Sequence, residues 1–354
     1  MKKALSLFAA AAMAFSLAAC SSSSDTPKDS GEKAEAGTGK LVIYSPNSDT
    51  EIDNELAAFQ EKYPDIQVDL QSMGTGDCVA RIEAESENPQ ADVMWGGMNY
   101  GVYKQNPDLW EKYVSANDEN VDENYRNDTG YFSNYVLSGS GAFIKNDKLL
   151  KELGVEVNSY EDLLQPELKG KIAMGDPTSS SSAWAELTNM LLVKGGYDSD
   201  EAWDYVQKLI DNLDGKIISS SSQVYKGVID GEYAVGVSYE DPVVQAMIDN
   251  KDNPNVEISM CYPEEGAVWL PAAAAMVKDA PNKENAKLFL DFLQSKDCQE
   301  IISRLTVRPA DTSLKQDNEA MKPFDEINVA YEDIEYCADH KDEWQNRWTE
   351  MMTN

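Results

Sequence analysis

The sequence predicts an α/β fold of two lobes, each an open, mainly parallel sheet flanked by helices. Apolar strand-like runs alternate with segments of helical periodicity in two separate stretches of the chain. Each run ends in a turn of small or hydroxyl-bearing residues, and open α/β sheets bind ligands at such strand ends. The length of 354 residues is also more than one hydrophobic core usually organises.

The first lobe is predicted from three strands, LVIYS at 41–45, IQVDLQS at 66–72 and ADVMWGG at 91–97. A helix between the first two strands carries apolar residues at helical spacing and closes at Pro64, and a second helix passes through Val79 and Ile82. The turns after the strands supply the first set of candidate ligand-binding residues, which are Ser45, Asn47, Ser48, Thr75, Gly76, Gly96 and Gly97.

The second lobe is predicted from GKIAMGDPTSSSSAW, the helix DEAWDYVQKLIDNL, GKIISSSSQVYKGVIDG and YAVGVSYEDP. Two runs of four serines each precede a helix. Serine is a favoured N-cap, so one interpretation is that each run only starts its helix, but a cap needs one serine. The candidates here are Thr178, Ser179, Ser180, Ser181, Ser220, Ser221, Ser222 and Tyr239.

The strand-like run AVWLPAAAAMV from Ala267 is predicted to return the chain to the first lobe. A helix follows with Asn282 as its N-cap, and the C-terminal region around WQNRW is predicted to be helical and to pack on that lobe. The predicted boundaries are 41–138 plus 268–354 for the first lobe and 139–267 for the second.

Residues 1–19 are typical of a secretion signal. Lys2 and Lys3 precede an apolar run from Ala4 to Ala19 that is too short to span a bilayer comfortably. The end of this segment, Leu-Ala-Ala-Cys at 17–20, resembles the lipobox of bacterial lipoproteins, and the resemblance implies that Cys20 is acylated; the alternative is an ordinary cleaved signal. Residues 20–40 then form a flexible tether that lacks aromatic residues and reaches about 25 Å.

Composition excludes several kinds of function. The net charge of −33 makes nucleic acid an unfavourable partner. His340, on a predicted exposed helix face, is the only histidine, which argues against His-based hydrolysis and His-rich zinc sites. Besides Cys20 the cysteines are Cys78, Cys261, Cys298 and Cys337, which lack metal-like spacing and are expected either in disulfides or as buried thiols.

Taken together, these segments resemble the solute-binding proteins of bacterial ABC importers, in the family-1 group of ferric-ion, phosphonate and sugar-phosphate binders. The similarity covers about residues 40–315 and is carried by IYS at 43–45, ADVMWGG at 91–97, GDPTSSSSAW at 175–184, VYKGVIDGEYAVGVSYEDP at 224–242, PEEG at 263–266, the helix NKENAKLFLDFLQS and VRP at 307–309. The resemblance implies a type II periplasmic-binding-protein fold, with a two-stranded hinge and a ligand in the cleft. It also implies an ABC permease as partner, and we expect a monomer without a cofactor.

The sequence leaves two kinds of ligand open. Ferric-ion members often use two adjacent tyrosines in the region of Val237 to Glu240, where this chain has only Tyr239. The alternative is a phosphorylated sugar or a phosphonate, held by hydroxyls and backbone N–H groups at helix N-termini. Glu240, Asp241 and Glu264 are then candidates for sugar hydroxyls or an ammonium group, although Glu240 and Asp241 are equally suited to the N-terminus of a helix.

Two further classes of function remain. A sensor that presents its ligand to a membrane kinase would use the same cleft with another partner. An extracellular hydrolase would act through a pair of carboxylates, which the acidic composition allows. The order of the motifs favours a binding protein that is not an enzyme.

Overall fold

The computed structural model describes residues 37–353, so the predicted signal, Cys20 and most of the predicted tether lie outside the described residues. Gly39 and Lys40, the last two residues of that tether, already belong to the first strand. The strands are β1 Gly39–Ser45, β2 Ile66–Ser72, β3 Val93–Met98, β4 Ser133–Ser140, β5 Ala142–Asn146, β6 Ile172–Ala173, β7 Val235–Ser238, β8 Ile258–Cys261, β9 Ala267–Met276, β10 Arg308–Pro309 and β11 Val329–Ala330. The α-helices are α1 Asp49–Lys62, α2 Thr75–Ala84, α3 Tyr100–Gln105, α4 Asp147–Leu153, α5 Ser181–Val193, α6 Asp200–Leu213, α7 Ser221–Ile229, α8 Glu240–Asn250, α9 Lys283–Leu293, α10 Lys296–Ile302, α11 Ile334–Asp339 and α12 Lys341–Thr353. In this range no helix is long and apolar enough to cross a membrane.

The first sheet has the order β10-β4-β9-β3-β1-β2, with β11 beside β9. β1 lies parallel to β2 and β3, as the alternation of strands and helices predicts. β9 pairs with β3 and β4, so the predicted return of this strand to the first lobe is confirmed. The core between this sheet and helices α1 and α9 includes the aromatic contacts of Phe59 and Trp95 with Phe289.

The second sheet has the order β6-β7-β5-β8. Both sheets contain antiparallel as well as parallel pairs, so they are mixed rather than mainly parallel. In the first sheet every antiparallel pair includes β4 or β9, the strands that carry the chain to and from the second sheet. In the second sheet the antiparallel pairs are those of β5 with β7 and β8. After β4 the chain enters the second sheet through Gly141, whose φ is +80°. The two-lobed α/β fold is thus confirmed, while the predicted numerical boundaries of the lobes stay a prediction.

The C-terminal helix forms as predicted, but the prediction that it packs on the first lobe is wrong. Trp344 and Trp348 of α12 are each 2 % exposed and belong to the core beneath the second sheet. Trp344 stacks on Trp184 and Tyr197, with ring centroids 6.0 and 5.4 Å away. Burying each indole removes about 200 Å² from water, worth roughly 5 kcal/mol, so these two side chains decide where the helix packs.

His340 also departs from its prediction. It ends α11 half-buried, with its ring 4.0 Å from Tyr336 and 5.4 Å from Trp344, rather than on an exposed helix face. The four cysteines within the described range are free thiols, and Cys78, Cys298 and Cys337 are buried. Of the two expectations for these cysteines, the structure therefore supports thiols.

Candidate functional site

Three segments of the first lobe meet at the carboxyl ends of β1, β2 and β3: residues 45–48, 74–76 and 96–97, which we call the first wall. Gly96 and Gly97, predicted in a turn, lie inside β3 at an irregularity in its pairing with β9. Gly96 and Gly97 have φ values of +86° and +68°. A Cβ atom on Gly97 would lie 2.5 Å from Thr75 Oγ1 and 2.8 Å from Pro46 Cγ, and one on Gly96 would overlap the Asn47 amide. Only glycine at positions 96 and 97 allows the three segments of the first wall to approach so closely.

Within the first wall the predicted residues have different roles. Ser45 is fully buried, donates to the Trp95 carbonyl at 2.6 Å and accepts from the Asn47 backbone N–H, so its hydroxyl is already engaged. Ser48 caps α1 in a capping box with Glu51. The Asn47 amide donates to the Tyr135 hydroxyl at 2.9 Å, which adds a side chain that the sequence analysis missed.

The two serine runs lie side by side in the second lobe. A parallel bridge joins Gly175 to Ile218 just before them, and Ser179 Oγ is 3.4 Å from the Ser219 carbonyl. Residues 176–182, 219–222 and 239–241 form what we call the second wall. Its turns occupy the N-termini of α5, α7 and α8.

The two runs differ in how they cap their helices. Ser180 accepts from the backbone N–H of Ala183 and so caps α5, with its hydroxyl 3.0 Å from that of Ser182. Ser220 makes the same kind of pairing, with its hydroxyl 3.0 Å from that of Ser222, but precedes α7 without a side-chain cap. Since the first N–H groups of a helix need acceptors, the start of α7 is a favourable place for an anion. Thr178 instead donates to Asp176 at 2.8 Å.

Tyr239 and Asp241, at the start of α8, both interact with side chains of neighbouring segments. Burial raises the pKa of Tyr239 to about 12, with Asp241 and Tyr225 adding to the rise, and a hydrogen bond with Ser221 opposes it. Asp241 accepts from Thr306 of the first lobe at 2.8 Å. Burial raises the pKa of Asp241, the hydrogen bond with Thr306 opposes the rise, and the carboxylates of Glu51 and Glu240 add to it.

Glu240 was a candidate for ligand binding, and the structure gives it another role. Its side chain is 1 % exposed, and both of its oxygens are engaged by Arg308, at 2.5 Å from Nη2 and 2.9 Å from Nε. Trp269 Nε1 donates to it at 2.8 Å, and the Tyr262 hydroxyl donates as well. A carboxylate with these partners has no free lone pair for a solute, so Glu240 does not belong to the site.

Glu264 also lies apart from the serine turns. Its side chain is exposed, its backbone N–H donates to the Asn158 carbonyl and its carbonyl accepts from Asn328. By contrast, sequence reasoning missed Glu186 on α5, four residues beyond Ser182. Its carboxyl is 2 % exposed, its Oε2 has no hydrogen-bond partner among the described residues, and burial holds its pKa well above the usual range. It also raises the pKa of Tyr239.

The walls are built without cationic side chains. No lysine or arginine occurs in residues 45–48, 74–76 and 96–97 of the first wall or in residues 176–182, 219–222 and 239–241 of the second. Residues 37–353 also contain no group of three or more His, Cys, Asp and Glu side chains placed to hold a metal ion. The donors that remain are hydroxyls, amides and helix N-termini.

Comparisons with known proteins agree with this architecture. A family model described as bacterial extracellular solute-binding protein matches residues 56–323. A putative 2-aminoethylphosphonate-binding periplasmic protein of Salmonella typhimurium is 26% identical over 275 residues, 74% of this chain and 77% of that protein. Iron uptake protein A1 of Synechocystis is 25% identical over 309 residues, 81% and 79% of the two chains. The periplasmic binding protein AfuA of Actinobacillus pleuropneumoniae, solved with exogenous fructose-6-phosphate bound, superposes with a TM-score of 0.70 at 27% identity, covering 89% of this chain and 99% of AfuA.

Proposed function

Because this chain belongs to the bacterial extracellular solute-binding proteins of ABC importers, we propose that its cleft captures a phosphorylated sugar or a phosphonate. The start of α7 carries this proposal. Ser220 leaves the first turn of α7 without a side-chain cap, while Ser221 and the adjacent run at α5 offer hydroxyls to the same place. A phosphate or phosphonate group accepts hydrogen bonds from such donors and is stabilised by the helix dipole.

The lack of cations in the walls supports neutral donors for the anion. The protein carries a net charge of −33, so its overall field repels a phosphate, and only groups aimed directly at the ligand compensate for lost hydration. The fructose-6-phosphate in AfuA and the name of the Salmonella relative point to the same class of ligand. On this proposal Asp241 accepts from a sugar hydroxyl or an ammonium group at the other end of the ligand, through the carboxylate oxygen that Thr306 leaves free.

Ferric ion is the second candidate. Tyr225, Tyr239 and Asp241 are neighbours whose oxygens suit ferric coordination, and two relatives are named for iron uptake. The segment from Val237 to Glu240 supplies one tyrosine, Tyr239, where ferric-ion binders often have two adjacent ones. We therefore rank ferric ion below a phosphate ester.

Calorimetric titration separates these ligands. We expect heat on adding fructose 6-phosphate or 2-aminoethylphosphonate and none with fructose, which lacks the phosphate. Ser221→Ala should weaken the binding about ten- to a hundredfold, as for loss of a hydrogen bond to a charged group. Ser313→Ala, which removes an exposed hydroxyl bonded to Asp311, is the matched control.

Tight ferric binding together with no heat from any phosphorylated compound would reverse the ranking. The same preparation tests the enzymatic alternative, because a binding protein leaves fructose 6-phosphate chemically unchanged after prolonged incubation. A histidine kinase gene beside this one, in place of permease and ATPase genes, would favour the sensing role.

We further propose that Cys20 carries lipid and that residues 21–38 tether the cleft near its permease. The signal pattern and its Leu-Ala-Ala-Cys end support this attachment. On this proposal the lobes close over the ligand, and the permease recognises the closed form.

A further inference from the structure

The C-terminal segment 331–353, which we call the strap, touches both lobes. It follows β11, which pairs with β9 of the first sheet, and it contains α11 and α12. The family model ends at residue 323, before the strap, whereas the similarity to AfuA extends over 89% of this chain.

One end of the strap is anchored firmly in the second lobe. Trp344 and Trp348 are buried in the core of that lobe, and Arg347 lies over the ring of Trp203 at 4.2 Å. Gln345 Nε2 donates to the Pro177 carbonyl at 2.6 Å, immediately before the serine turn at 178–182. The strap thus braces the second wall at the place where the ligand is proposed to bind.

Helix α11, which also packs on the second-lobe core, meets the first lobe through weaker contacts. Asp339 of α11 forms an ion pair with Lys104 of α3, and the two side chains are 51% and 46% exposed. Glu335 hydrogen-bonds the hydroxyl of Tyr100, also on α3. Helix α3 begins only three residues after Gly97, so these contacts reach the first wall from outside.

The strap contacts the second lobe more strongly than the first, and this difference suggests what the strap does. Buried indoles hold it to the second lobe permanently, whereas an exposed ion pair and one phenolic hydrogen bond separate easily in water. When the lobes move apart, the contacts with α3 are the ones that break. We propose that the strap is a latch: its α3 end engages when the lobes approach and holds the cleft closed.

The latch would act on the ratio of open to closed protein. A contact made only in the closed form favours that form, and a ligand that binds the closed form gains the same factor in affinity. This last step rests on the proposed function, whereas the effect on lobe separation does not. An exposed ion pair of this kind changes an equilibrium about two- to fivefold.

The test is a charge-reversal cycle at Lys104 and Asp339. Spin labels at Asp53→Cys and Lys226→Cys, in a Cys20→Ser, Cys261→Ser background, report the distance between the lobes in the absence of ligand. Lys104→Glu should raise the open-to-closed ratio about two- to fivefold, and adding Asp339→Lys should restore it. Both positions are exposed, so the variants are expected to fold.

A second measurement follows the release of fructose 6-phosphate, which Lys104→Glu should accelerate by the same factor and the double variant should return to the original rate. A distance distribution that Lys104→Glu leaves unchanged would overturn the latch, whatever the ligand. If no phosphorylated compound binds but the distances change and recover as expected, the latch stands and the proposed ligand class fails.

Discussion

Glu240 and Arg308 form an ion pair buried where the two sheets join. Glu240 is the first residue of α8, which follows β7 of the second sheet, and Arg308 belongs to β10 of the first sheet. Each of the two side chains is 1 % exposed. Trp269, on the returning strand β9, donates to the same carboxylate. An acidic residue beside the cleft is thus a structural link between lobes.

Arg308→Met should therefore be strongly destabilising. It leaves the carboxylate of Glu240 buried without its counter-ion, which typically costs about 3–5 kcal/mol in the free energy of unfolding. Urea denaturation measures the loss. Arg304→Met is the matched control, because Arg304 pairs with Asp317 at 3.9 Å in an exposed position, and it should change stability by less than about 0.5 kcal/mol. Equal losses in the two variants would contradict the role of the buried pair.

Glu332, at the start of the strap, gives a prediction on pH. Burial raises its pKa from 4.5 to about 7, hydrogen bonds from Thr188 and Cys337 lower it and Asp333 raises it. Between these two pH values the folded protein keeps a proton that the unfolded chain has lost, so stability falls as pH rises through this window.

Glu332→Gln should remove this loss. Near pH 4.5 the variant and the native protein should be about equally stable, and above pH 7 the variant should be more stable by up to roughly 3 kcal/mol. Denaturation with urea across this pH range measures the difference. The exposed Glu343→Gln should follow the native curve. A constant difference at all pH values would show that Glu332 does not titrate in this way.

Among the elements, the strand-to-helix turns are the features that the sequence predicts best. Helices α1, α2, α5 and α7 all begin at the predicted turns, because caps and apolar periodicity are encoded in consecutive residues. The sequence does not show which hydroxyls are already engaged. Ser45 and Ser48 serve the fold, whereas the start of α7 is left uncapped.

Gly97→Ala tests how closely the turns of the first wall must pack. Its φ of +68° already disfavours alanine, and the new Cβ would collide with Thr75 and Pro46, so we expect a loss of about 2–3 kcal/mol and weaker binding of fructose 6-phosphate. Gly154→Ala is the control. Its φ is +72° but no atom lies within 4 Å of the new Cβ, so only about 1 kcal/mol should be lost and binding should be unchanged. Similar effects of both changes on binding would argue against the close approach.

For the whole molecule, the prediction concerns attachment to the membrane. Cys20→Ser should move the protein from the membrane fraction to the soluble fraction of lysed cells, since a thioether-linked lipid cannot form. Mass spectrometry of the mature protein should show the loss of the acyl groups. Ser21→Ala leaves the cysteine in place and should stay with the membrane. A Cys20→Ser protein that still sediments with membranes would refute the anchor.

The sequence by itself determined the alternation of strands and helices, the position of the strand-to-helix turns and the resemblance to solute-binding proteins, and it predicts the export signal. All of these depend on residues close together in the chain. Only the tertiary structure decided that the sheets are mixed, that Glu240 pairs with Arg308 and that α12 packs on the second lobe. The physical reason is that burial and pairing depend on partners far away in the chain: Glu240 meets Arg308 across 68 residues, and Gln345 meets Pro177 across 168.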